Sequence, residues 1–204
     1  MLKFLKSRGY EVDAVEIDTI AAIRARQNLN QEIYSSLEQL DRFLRKQYRA
    51  VCFWHSLEHM PQPGKALKIA DRFLEPGGLL VISAPHMESF QSRLSGASWL
   101  HLELPRHLVH FDMERLAKFL QTRGYKLIKH RHFCQEYNVI DTLCYLYALL
   151  GFDDLYPFNL LKGMHRNKAG GNHNTLKTIT GLSLMLPLTI ASFLVSNCFS
   201  LFGR

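Results

Sequence analysis

The stretch from Tyr48 to Pro85 narrows most what this chain can fold into. YRAVCFW is a short apolar run of strand type. PGKALKIADRFL is an amphipathic helix in which Ala66, Leu67, Ala70, Phe73 and Leu74 share one face. EPGG ends it, because proline and paired glycines break a helix and favour a turn. LLVISAP then reads as a strand apolar on both sides, as parallel strands are. Strand, crossover helix and strand in that order describe one parallel unit of an α/β sheet.

The flanks continue the alternation. LKFLKSRGY predicts a helix stopped by Gly9. EVDAVEID predicts a strand ending in acid, and TIAAIRARQN a helix with Asp18 or Thr19 at its N-cap. IYSSLEQL reads as a short strand or turn, and DRFLRKQ as polar surface. After an irregular stretch from His86 to Phe111, Asp112 caps the helix MERLAKFLQTR, with Glu114 in its favourable first turn. Gly124 stops that helix, and YKLIKHRHF is expected to form another strand.

Composition fits one core with an appendage. The chain has 204 residues, 47% hydrophobic and 21% charged, which is a globular balance. Its formal charge of +7 is spread along the chain without a basic run, so nucleic acid is not among the expected partners. Cys52, Cys134, Cys144 and Cys198 form no CxxC pair and read as buried, reduced thiols of a cytoplasmic protein. MLKFLK is too short and too charged to begin a secretory signal.

The C-terminal end differs in character. No charged residue occurs from Thr178 to Phe202, about 25 residues, which is long enough to cross a bilayer. Small hydroxyl residues recur on one helical stripe, and Pro187 would kink or start a helix. Lys162, Arg166, Lys168 and Lys177 precede the run, a flank that favours a cytoplasmic body with 178–202 in or on the inner face of a membrane. The other reading is an apolar helical hairpin packed on the domain. Three regions follow: an α/β domain over 1–135, a helical and loop connection over 136–177, and an apolar helical segment over 178–204.

WHSLEHMPQP, residues 54–63, carries the pattern H-x-x-E-H of an inverted zinc-protease motif. That motif needs His55 and His59 on one continuous helix, so that both aim at one metal. A strand precedes them here, and Pro61 and Pro63 bias Met60 and Gln62 away from helical geometry. No metal site is therefore expected. The segment lies instead at the C-terminal end of a parallel strand, the edge at which open α/β sheets bind ligands. The strand EVDAVEID also ends in acid, at Glu16 and Asp18, and one carboxylate can accept both hydroxyls of a ribose. Alone, Glu16 would read as a solvated strand end.

The order of these blocks resembles the class I S-adenosylmethionine-dependent methyltransferases. WHSLEHMPQP at 54–63, LEPGGLLVISAP at 74–85 and PRHLVHF at 105–111 are similar to the subgroup pattern WHxLEHxPxP, LxPGGxLxIxxP and PRHLxHF. The likeness covers roughly residues 1–130. It implies a Rossmann-like sheet, with S-adenosylmethionine as cofactor. Glu16 takes the place of the ribose-binding acid, and Asp18 begins the next helix. Ser36 and Leu37 fall where the family's adenine-contacting G-D-[LIV] lies, although its Asp is absent here. Trp54 and His55 correspond to the wall beside the methionine end of the cofactor. Glu58 and His59 are open to two readings: a hydrogen-bond network at a helix start, or a catalytic or substrate-facing role. Arg106, His107 and His110 occupy the substrate-facing block. Arg106 suits an anionic group, and His107 suits removal of a proton from a substrate hydroxyl. Bracing of the loop is the competing reading.

The sequence also departs from that family. It contains no G-x-G, the loop type whose glycines allow close backbone approach to the cofactor. LKFLKSR corresponds to the end of the helix after such a loop, and no closing strand follows YKLIKHRHF. The expectation is a sheet lacking its first and last strands, N-terminally truncated, with a protein partner as one way to complete it. The expected function is methyl transfer from S-adenosylmethionine to a small-molecule or lipid-linked acceptor. The alternative is a non-catalytic methyltransferase-like remnant or membrane-tethered partner protein.

Overall fold

The computed structural model describes residues 1–131, 135–149, 183 and 187–194. They fall into two compact units, 1–84 and 85–204. The first opens with helix α1 (Leu2–Ser7) and helix α2 (Thr19–Leu29). Asp18 caps α2 by accepting from the Ala21 N–H at 2.7 Å, and Asn30 closes it in the left-handed region. Helix α3 (Leu37–Phe43) begins at Ser36, whose hydroxyl accepts from the Gln39 N–H at 3.0 Å. Strand β1 (Tyr48–Trp54), helix α4 (Pro63–Phe73) and strand β2 (Leu74–Ser83) complete the unit.

The central expectation holds: β1 and β2 pair in parallel, with α4 as the crossover between them. All of the predicted face of α4 is buried, together with Ile69. Phe73 and Ile69 pack with Leu40 in one core cluster, which Val15, Tyr34, Leu37, Tyr48 and Val51 border. A second cluster joins Ala22, Leu29 and Ile33, with Leu2 and Ala14 against it.

Several expectations need correction. EPGG is a turn built into β2. Tyr48 faces Leu74 while Ala50 faces Leu79, so β2 spends five positions where β1 spends two, and the surplus bulges out of the ladder. Gly77 takes φ +77 in the bulge, where a side chain would be strained. LLVISAP is not buried on both faces: Leu79 and Val81 are exposed, as are Cys52 and Trp54 on β1. Alternation along the strands puts these four on one side, and among the described residues nothing covers it. Cys52 is therefore an exposed thiol, whereas Cys144 is buried as expected; Cys134 and Cys198 lie outside the described residues. EVDAVEID gives a single parallel bridge, Val15 to Tyr34, because Ser36 turns the partner segment into α3.

The second unit has a bridge between His86 and Phe111, helix α5 (Phe90–Ser95), helix α6 (Met113–Gln121) and helix α7 (Gln135–Leu149). Asp112 caps α6 as predicted, accepting from the Arg115 N–H at 2.8 Å. Leu143, Cys144 and Tyr147 of α7 are buried. Two short 3-10 turns, Gly96–Ser98 and Leu100–Leu102, occupy the irregular stretch. Residues 125–131 form no strand. Ile128 is exposed there. Of the apolar run 178–202, residues 183 and 187–194 are helical and the rest lies outside the described residues. No described helix is long and apolar enough to cross a membrane.

Candidate active site

In the first unit both strands point the same way, so their C-terminal ends share one edge. Trp54 ends β1 directly opposite Ser83, which ends β2. One residue further, the His55 N–H donates to the Ser83 carbonyl at 2.9 Å and extends the ladder. The backbone then turns: His55 has φ 45, a left-handed conformation uncommon for a residue with a side chain. This turn places the imidazole back over the strand ends. His55 Nε2 lies 3.1 Å from Ser83 Oγ, and Nδ1 lies 3.5 Å from Glu58 Oε1.

Glu58 sits on the 3-10 turn Leu57–His59 and is 1% exposed. Neither carboxylate oxygen has a well-formed hydrogen bond among the described residues, and 3.5 Å is an ion-pair contact rather than a short bond. Burial pushes the carboxyl up. The His55 ring, the local backbone N–H and the charges of His55 and His59 more than offset this, and hold it below its ordinary value. Glu58 is thus a buried anion facing an imidazole. His59, half-buried, closes the same turn. The H-x-x-E-H residues lie on a strand end and a 3-10 turn, not on one α-helix.

The other residues expected at the cofactor divide by what their oxygens already do. Glu16 follows the Val15 bridge, and its Oε1 accepts from the Asp18 N–H at 3.0 Å. Its Oε2 has no partner among the described residues, so the carboxylate is held at one oxygen and open at the other. Asp18 and Ser36 spend their oxygens capping α2 and α3. Leu37 opens α3 and packs against the Leu40 cluster. Trp54 presents an exposed ring, 6.1 Å from and edge-on to His55.

In the second unit the PRHLVHF block is organised by a residue outside it. Glu103, at φ 34, holds Arg106 Nη1 on Oε1 at 3.0 Å and His107 Nε2 on Oε2 at 3.1 Å. His107 is buried, and its Nδ1 meets the His101 carbonyl at 2.6 Å. A carbonyl oxygen only accepts, so Nδ1 donates, and Nε2 lies against the Glu103 carboxylate. His110 Nε2 donates to the Leu102 carbonyl at 3.0 Å. His101 in turn pairs with buried Asp141 of α7 at 3.2 Å.

Sequence reasoning did not find Ser83 or Glu103. The signal for Glu103 was its spacing, three and four residues before Arg106 and His107. Ser83 gave none, because its place beside His55 depends on the register of two strands.

A parallel strand–helix–strand unit is an α/β arrangement, and polar side chains here gather at the edge where open α/β sheets bind ligands. The family model described as a methyltransferase domain matches residues 1–130, and the chain belongs to that family. No curated protein and no solved structure matches the chain significantly.

Proposed function

We propose that the chain uses S-adenosylmethionine to methylate a small-molecule or lipid-linked acceptor. The single observation that carries this is Glu16. Its carboxylate, anchored by the Asp18 N–H, keeps one oxygen available at the end of the Val15 bridge, and that arrangement fits a ribose diol. The exposed Trp54 ring offers a flat apolar surface to the same ligand. S-adenosylmethionine, when bound, supplies a methyl group on a sulfonium leaving group, so the protein's task is alignment. Asp18, Ser36 and Leu37 support that site by fixing the helices that flank it. Arg106 is read as the acceptor-side cation, oriented by Glu103, with His107 and His110 bracing its loop.

The three sequence blocks support placement in the subgroup that they resemble. We read β1 and β2 as part of a Rossmann-like sheet whose further strands come from other residues or a protein partner. Residues 178–202 are read as contacting the inner face of a membrane, which suits a lipid-linked acceptor. The absence of any G-x-G favours a second reading, a non-catalytic methyltransferase-like protein. The two are separated by incubating the chain with methyl-labelled S-adenosylmethionine and a cell extract containing lipids. Label transferred to an extracted molecule supports the enzyme. No transfer by a folded chain that binds the cofactor supports the second reading.

A further inference from the structure

We infer that His55, backed by Glu58 and facing Ser83, is the general base of the methyl transfer, and that the atom methylated is a hydroxyl oxygen. This deepens the function proposed above and rests on it. Nδ1 faces a carboxylate, which can only accept, so the ring proton belongs on Nδ1. That leaves a lone pair on Nε2, and the group 3.1 Å from it is a hydroxyl, the natural donor. His55 is therefore arranged with a proton on Nδ1 and the Ser83 hydroxyl at Nε2.

The surroundings point the same way. Glu58 is almost wholly buried and lacks a well-formed hydrogen bond among the described residues, which is costly for a carboxylate. The cost is recovered when the neighbouring ring becomes a cation, since a buried anion 3.5 Å away then gains a full ion pair. Glu58 faces the ring, and His59 acts on Glu58 from the same turn. The left-handed backbone at His55 is what turns the ring towards Ser83, and such strain gathers at functional sites. Trp54 and Ser83 end paired strands at this edge, so the hydroxyl relay opens beside an exposed aromatic ring.

The proton path follows. The acceptor hydroxyl donates to Ser83 Oγ, whose own proton is held by His55 Nε2. As the acceptor oxygen bonds to the methyl carbon, the methyl–sulfur bond breaks and its electron pair stays on sulfur. The acceptor proton passes to Ser83 Oγ, and the Ser83 proton passes to Nε2. His55 ends as an imidazolium paired with Glu58, and later returns its proton to water. Glu58 is a positioning residue in this scheme and Ser83 a relay.

The test needs no acceptor. The full chain, labelled with 15N-histidine, is studied by long-range proton–nitrogen spectroscopy near neutral pH, with His55 assigned by its change in Ser83→Ala and His55→Gln. The expected wild-type result is a neutral ring protonated on Nδ1, with Nε2 at the unprotonated shift. In Glu58→Gln the ring should move towards the Nε2–H form. A wild-type ring protonated on Nε2 overturns the inference, and so does a tautomer balance indifferent to Glu58→Gln. The wild-type spectrum decides even if a variant fails to fold. Calorimetric titration with S-adenosylmethionine keeps the two levels apart. Binding without the expected tautomer removes the base and leaves the methyltransferase. The tautomer without binding removes the proposed function, and the inference with it.

Discussion

At the scale of single residues, two neighbouring acids have separate duties. Asp18 uses its side chain to cap α2, and Glu16 accepts from the Asp18 N–H at one oxygen, leaving the other for the ligand proposed above. Replacing a capping Asp by Ala costs a protein about 1 kcal/mol. Asp18→Ala should therefore lower the thermal midpoint by several degrees, and calorimetric affinity for S-adenosylmethionine should change little. A large affinity loss without destabilisation would assign Asp18 to the ligand instead. Glu58 gives a pH prediction. Its folded carboxyl lies below the ordinary value of 4.5. Stability from the ionised form is thus fully present above 4.5, and is lost as pH falls through the lower folded value. Glu58→Gln should flatten the fall in melting temperature as pH drops below 4.5; an unchanged slope would mean that Glu58 contributes nothing there. The caps at Asp18 and Asp112 were legible in sequence because capping is local. The base proposed here was not: the sequence points to His107 and His59 and places His55 beside the cofactor, and the partners of the His55 ring nitrogens depend on the fold.

At the scale of elements, the β1–α4–β2 unit could be read almost complete. A 3.6-residue apolar face between two apolar runs admits few arrangements, and every residue of the predicted α4 face is buried. The PGG bulge shows why the sheet accepts a turn inside a strand. A Cβ on Gly78 would stand 2.9 Å from the Glu75 carbonyl oxygen, which is backbone and cannot swing away. Gly78→Ala should destabilise the unit by roughly 1–3 kcal/mol, measured by urea unfolding; a neutral effect would show the bulge to be pliable. The less legible elements are those that depend on distant partners. EVDAVEID has strand composition but finds one bridge, and residues 125–131 find none among the described residues. Strand propensity describes fit to a neighbour, and composition does not say whether the neighbour is there.

At the scale of the whole chain, the family and the candidate site rest on different observations. The methyltransferase-domain match over residues 1–130 concerns the sequence as a whole. The polar cluster at the β1 and β2 ends concerns a few atoms. The positions of Glu16, Trp54 and His55 were legible in sequence, since all three lie at strand ends or beside a bridge. Their contacts were not, because they are set by a register, a left-handed turn and a buried anion. The apolar run 178–202 stays a composition argument, since most of it lies outside the described residues. The central claim is that Glu16 binds the ribose of S-adenosylmethionine in a working cofactor site. Its most direct test is calorimetric titration of the folded chain and of Glu16→Ala with S-adenosylmethionine. The account predicts saturable binding by the wild type, weakened about tenfold or more in the variant, as fits the loss of a charged hydrogen bond. No binding by the folded wild-type chain, or equal binding by both, would contradict it.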